Sequence, residues 1–148
     1  MKVSTRSDYA ARALLSLALH GREGPTSVKE IAERTALPQP YLEQILLNAK
    51  GAGLVRSKRG VGGGYVLARP PEEITLAEIF SAVEGPLATP LGEHDHCEGH
   101  CVLQEVWVGV SEQMGRILEG YTLADLVQRT LVGHPSAGSA AVPRSLSR

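Results

Sequence analysis

Three helical segments, a short turn between the second and third, and a glycine-rich hairpin after them predict a mainly α fold with a small β-hairpin wing, that is, a winged helix-turn-helix unit. A long apolar stripe further along, from Leu103 to Tyr121, predicts one extended helix. A small domain cannot cover such a stripe alone, which points to a dimerisation helix.

Each element has a local reason. In "DYAARALLSLALH", residues 8–20, Tyr9, Ala13, Leu14, Leu17 and Ala18 recur at helical spacing, and Gly21, Gly24 and Pro25 end the segment. In "TSVKEIAERTAL", Ser27 and Glu30 have capping-box spacing, with Val28, Ile31 and Ala32 on the inner face. In "LPQPYLEQILLNAKGAGL", Pro38 and Pro40 suit a first helical turn, where a missing N–H costs little. Leu42, Ile45, Leu46 and Ala49 line one face, and Gly51 or Gly53 stops the helix. Two β-type runs, Leu54–Ser57 and Tyr65–Ala68, flank the glycines of the hairpin, and Pro70 and Pro71 close it. Thr75 and Glu78 repeat the capping-box spacing ahead of "LAEIFSAVEG". A loop with Pro86 and Pro90 leads to the long helix, in which Leu103, Val106, Trp107, Val110, Met114, Ile117, Leu118 and Tyr121 form the stripe. Thr122 and Asp125 cap a last short helix.

The 148 residues allow one ordinary domain or a small domain with an appended element. The N-terminus carries Asp8 and Arg12 where a signal peptide needs an apolar core, and no run approaches the ~18 apolar residues of a membrane span. The expectation is a soluble cytoplasmic protein without a membrane partner. The net charge of −1 hides an asymmetry. Lys50 to Arg69 holds five basic residues and no acid, and Glu72 to Glu105 holds eight acids and no Lys or Arg. A basic segment of this kind attracts phosphate.

In a winged helix-turn-helix the third helix enters the major groove N-terminus first. That end presents Gln39, Tyr41, Glu43 and Gln44. Glutamine can read adenine and glutamate can accept from cytosine. The wing offers Arg56, Lys58 and Arg59 to phosphates or the minor groove. The partner is then double-stranded DNA. The competing reading is a metal-binding protein–protein interaction module that never touches DNA. "GVGGG" is not a phosphate-cradling loop, because no Lys-Ser/Thr pair follows it and no helix begins there. Catalysis lacks a nucleophile–base pair, so the chain is not read as an enzyme.

Four segments, "MKVSTRSDYAARALLSLA", "SVKEIAERTALPQPYLEQIL", "AGLVRSKRGVGGGYVLARPPEEITLAEIFSAVEG" and "CVLQEVW", resemble in order the signature segments of the Rrf-type (BadM/IscR/NsrR-like) family of winged helix-turn-helix transcription regulators. The resemblance covers roughly residues 1–131. It implies a homodimer on a palindromic promoter site, joined through the long helix. It also implies DNA contacts at Tyr41, Gln44 and Arg59, which match the family's positions. A cofactor-free winged-helix regulator is the variant of this reading without a sensor.

"EHDHCEGHC", residues 93–101, holds both cysteines and three of the five histidines. Cys97 and Cys101 have zinc-type spacing, and His94, His96 and His100 are further donors. Many cluster-binding members of the family have three cysteines in this loop. Cys101 matches the last of these and Cys97 the middle one, and the other is absent. Where the iron–sulfur-regulator branch has a ligand histidine, this chain has Gln104. The nitric-oxide-sensor branch uses an aspartate of the other subunit, which Asp8 matches. The resemblance therefore implies an iron–sulfur cluster, with mixed Cys/His ligation. Zinc, a cysteine-only redox switch and a solvated loop without cofactor are the alternatives. The expected organisation is a DNA-binding domain at 1–71, a connecting helix and Cys/His-rich sensor loop at 72–101, dimerisation helices at 102–132 and a disordered tail at 133–148. The expected function is a repressor that senses redox, nitrosative or iron–sulfur status.

Overall fold

A computed structural model of the chain describes residues 3–87 and 98–133. The order is α1 (Thr5–His20), α2 (Val28–Thr35), α3 (Gln39–Gly51), β1 (Val55–Lys58), β2 (Gly64–Leu67), α4 (Leu76–Glu84), α5 (His100–Glu119) and α6 (Leu123–Val132). Short 3₁₀ turns, Gly21–Glu23 and Pro71–Glu73, follow α1 and precede α4. The mainly α architecture with one antiparallel hairpin is as the sequence predicts. The tail from residue 134 onward lies outside the described residues.

The three expected capping boxes are all present. Ser27 and Glu30 close the start of α2, Thr75 and Glu78 that of α4, and Thr122 and Asp125 that of α6. Each carboxylate accepts from the backbone N–H of its cap residue, which holds it at the positive end of a helix. The N–H and hydroxyl of Ser27 hold the Glu30 carboxyl below its ordinary range, and those of Thr122 do the same for Asp125. Burial pushes the Glu78 carboxyl up, but hydrogen bonds from Thr75 and Arg69, with the charge of Arg69, outweigh it and hold Glu78 low. The Arg69–Glu78 pair, 2.7 Å apart, ties the end of the wing to the start of α4.

α1 begins at Thr5, earlier than residue 8, because Ser4 accepts from the Ser7 N–H as N-cap. Ser7 is buried, and its hydroxyl donates to the Glu84 carboxylate at 3.1 Å, joining the start of α1 to the end of α4. α5 likewise begins at His100 rather than near Leu103, after Gly99 in a left-handed conformation.

One core runs through the molecule. Leu14 and Leu17 of α1, Ile31 of α2, Leu42, Ile45 and Leu46 of α3, Ile79 of α4 and Leu123 of α6 are all buried in it. The core therefore crosses residue 72, and α6 packs back onto α1. Two backbone bonds fix this return: Leu76 N–H to the Tyr121 carbonyl and Leu123 N–H to the Ile74 carbonyl, both 2.9 Å. The starts of α4 and α6 thus lie side by side, bridged at Thr75 and Thr122.

The turn between α2 and α3 has a strained residue. Ala36, the C-cap of α2, has φ 54° and ψ 37°, a left-handed conformation that favours glycine. Its side chain is exposed, so little packing offsets the strain. Ala36→Gly should raise the stability by about 1 kcal/mol, read as a higher urea midpoint at unchanged slope. An unchanged or lower midpoint would mean that the turn is not strained.

Candidate nucleic-acid interface and cysteine loop

The apolar positions of α3 root it in the core and leave the others outside. Gln39, Tyr41, Glu43 and Gln44 are all exposed on its first two turns. Gln39 Nε2 donates to Glu43 Oε1, and Gln44 Nε2 donates to Asn48 Oδ1, each at 3.3 Å. Such long surface bonds are readily exchanged for base edges. Tyr41 meets Tyr9 of α1 edge to face, with centroids 6.3 Å apart, and the Arg12 guanidinium lies 5.9 Å from the Tyr9 ring centre. Arg12 also donates to the Thr35 carbonyl. α1 therefore braces both the turn and the recognition helix.

In the wing, Val55 pairs with Leu67, Arg56 with Val66, Ser57 with Tyr65 and Lys58 with Gly64. Val55 is buried, while Arg56, Lys58 and Arg59 are exposed. Ser57 is held from the end of α3, where Lys50 Nζ donates to its hydroxyl at 2.7 Å. The hairpin is also pinned to the residues before α2. Thr26 N–H donates to the Tyr65 carbonyl at 3.0 Å, and Tyr65 N–H donates back at 2.8 Å. Gly64 sits against that bridge: a Cβ there would lie 2.3 Å from the Thr26 carbonyl oxygen.

The structure adds a cation that the sequence reading missed. Arg6, exposed on the first turn of α1, borders a cleft of about 500 Å³ with Tyr9 and with Tyr41, Gln44 and Ile45 of α3. Arg6 belongs to no ion pair among the described residues. No local pattern marks it, because its neighbourhood with α3 is created by the fold.

Of the candidate metal ligands, His94, His96 and Cys97 lie outside the described residues. Cys101 is exposed in the first turn of α5 and is disulfide-bonded, and His100 beside it is half-buried. Asp8 is exposed on α1, 3.7 Å from Arg12. Among the described residues no group of three or more His, Cys, Asp or Glu side chains comes together. Cys101, His100 and Asp8 of one subunit therefore do not make a donor set by themselves. A sulfur held in a disulfide also has no thiolate to offer a metal until it is reduced.

Recognition helix, braced turn and basic wing define a winged helix-turn-helix protein. The sequence model of the Rrf2 family, described as an iron-dependent transcriptional regulator, matches residues 3–129. The chain belongs to this family and is a DNA-binding transcriptional regulator, not an enzyme. It is 37% identical over 130 residues to the HTH-type transcriptional regulator CymR of Bacillus subtilis, covering 88% of this chain and 92% of that one. It is likewise 37% identical over 130 residues to the HTH-type transcriptional regulator IscR of Aliivibrio salmonicida, covering 86% of this chain and 77% of that one. The solved structure of T. potens IscR matches with a TM-score of 0.72 at 39% identity, over 88% of each chain. Among the described residues no helix is long and apolar enough to cross a membrane.

Proposed function

We propose that the protein is a homodimeric repressor that reads a palindromic promoter site and senses redox, nitrosative or iron–sulfur status through residues 93–101. The observation that carries this reading is the junction at the start of α5. A sensor-type cysteine, Cys101, stands in the first turn of a 20-residue helix that has no buried residue in the single chain. Val106, Trp107 and Ile117 are 50%, 53% and 52% exposed along it. An apolar stripe of this length wants a second copy, and a change at Cys101 reaches the helix that would hold the two copies together.

Gln39, Glu43 and Gln44 are assigned to base edges, and Tyr41, Arg56, Lys58 and Arg59 to the backbone or minor groove, with Arg6 beside them. The division of labour follows: residues 1–71 read DNA, 72–101 connect and sense, and 102–132 join subunits, with α6 also closing the core. In the reduced state Cys97 and Cys101, with one of His94, His96 or His100 and Asp8 of the partner subunit, are the residues that would hold an iron–sulfur centre or zinc. An iron–sulfur centre would supply one-electron redox chemistry. The disulfide at Cys101 favours a second reading, in which thiol oxidation is itself the signal.

Iron and acid-labile sulfide analysis of anaerobically purified protein tests the sensor. Iron with matching sulfide, lost in Cys101→Ser, supports the cluster; zinc without sulfide supports a structural site. No metal, with DNA binding that depends on reductant in the wild type but not in Cys97→Ser/Cys101→Ser, supports the thiol switch. No metal and no effect of either serine would leave the loop without a sensing role. For the wing, Arg59→Ala should weaken DNA binding and lower the slope of log affinity against log salt by about one unit. An unchanged slope would remove Arg59 from the interface.

A further inference from the structure

A groove lies on the side of the molecule formed by the end of α1, strand β2, the 3₁₀ turn before α4 and the outer face of α6. None of its lining residues belongs to α3, to the wing turn or to α5, so it is separate from the DNA-reading surface and from the apolar stripe. Its volume, about 810 Å³, is in the range of small-molecule sites. Leu19, Val66, Val127 and Leu131 give it apolar walls, and Leu131 is 75% exposed.

Two opposite charges stand on this wall, Arg22 and Glu72. Nearby, Arg34 pairs with Glu23 at 3.6 Å, and His20 Nδ1 lies 3.5 Å from the same carboxylate. Arg22 and Glu72 are in no ion pair or side-chain hydrogen bond among the described residues, although both border the same groove. An apolar surface with one unpaired guanidinium and one unpaired carboxylate is complementary to a ligand with the same three parts reversed in charge.

We infer that this groove is a binding site for an apolar zwitterion of the amino-acid class, with its carboxylate on Arg22, its ammonium on Glu72 and its side chain against Leu19, Val66, Val127 and Leu131. The site is lined by both the wing strand and α6, so its occupant touches both. The inference does not depend on the sensing role of the cysteine loop, and its test does not involve DNA.

The test is calorimetric titration of the full chain with L-phenylalanine, phenylpropionate and phenethylamine, the last two each lacking one charge. The expected result is saturable binding of L-phenylalanine with a micromolar to millimolar dissociation constant. Each analogue should bind about tenfold or more weakly, and Arg22→Ala and Glu72→Ala should each weaken L-phenylalanine to a similar degree. Both substitutions are at exposed positions and should leave the melting temperature unchanged. Absence of saturable binding overturns the proposal. So does equal binding of all three probes, which would show an apolar surface without charge recognition. Binding of L-phenylalanine only after truncation at Gly133 would assign the groove to residues 134–148 of the chain itself, and would overturn it too.

Discussion

Val110→Asp is expected to leave each subunit folded but to convert the protein to a monomer with greatly weakened DNA binding. Val110, 37% exposed, lies in the middle of the stripe, between Val106 and Met114, on a helix with no fully buried residue in the single chain. The core of the subunit does not use it, so the substitution costs the fold little. Against a second copy of α5 it would place two unpaired carboxylates in an apolar seam. The cost is on the order of 2–4 kcal/mol per subunit, enough to raise the dimer dissociation constant at least about 10³-fold. Sedimentation equilibrium reads this directly. A wild-type protein that is monomeric at micromolar concentration, or a Val110→Asp protein as dimeric as the wild type, would contradict the proposed assembly.

Gly64→Ala is expected to have the largest effect on the wing. The residue has φ 154°, and a Cβ there would lie 2.3 Å from the Thr26 carbonyl oxygen and 2.4 Å from its carbon. Both are backbone atoms held by the Thr26–Tyr65 bridge, so neither can rotate away. The bridge must open, which frees the hairpin from the residues before α2. A loss of about 2–4 kcal/mol in stability follows, with a larger loss in DNA affinity because Arg56, Lys58 and Arg59 would lose their fixed placement. Urea unfolding and fluorescence anisotropy on one DNA fragment separate the two effects. A variant with wild-type midpoint and affinity would show that the bridge does not position the wing.

What was legible in the sequence was local. Ser27 and Glu30, Thr75 and Glu78, and Thr122 and Asp125 announced three helix starts, because a capping box is complete within four residues. The hairpin was legible from its glycines, although each strand is displaced by a residue or less from the expected runs. The start of α1 lies before the apolar repeat of residues 8–20, because Ser4 caps the helix and Ser7 bonds to Glu84 of α4. The bridges Thr26–Tyr65 and Thr75–Thr122 leave no local pattern, since each depends on segments far apart in the chain meeting. The return of α6 to the core follows from the second of these. The same division holds at the interface. The exposure of Gln39, Tyr41, Glu43 and Gln44 follows from the apolar spacing of α3, whereas Arg6 comes beside Tyr41 and Gln44 only through the packing of α1 against α3.

In the proposed sensor, a change at Asp8 would reach α3 through the bracing contacts of α1. Asp8 pairs with Arg12, and Arg12 is bound to the turn and stacked on Tyr9, which touches Tyr41. Before any sensing, the proposed assembly places two copies of α3 and its wing on two half-sites. Hydroxyl-radical footprinting of a genomic fragment selected by gel shift tests it most directly. The account predicts sequence-selective retention and two symmetric protected half-sites, with centres separated by about one helical turn, roughly 34 Å, or a multiple of it. A protein that retains no fragment selectively, or that leaves a single asymmetric footprint, would contradict it.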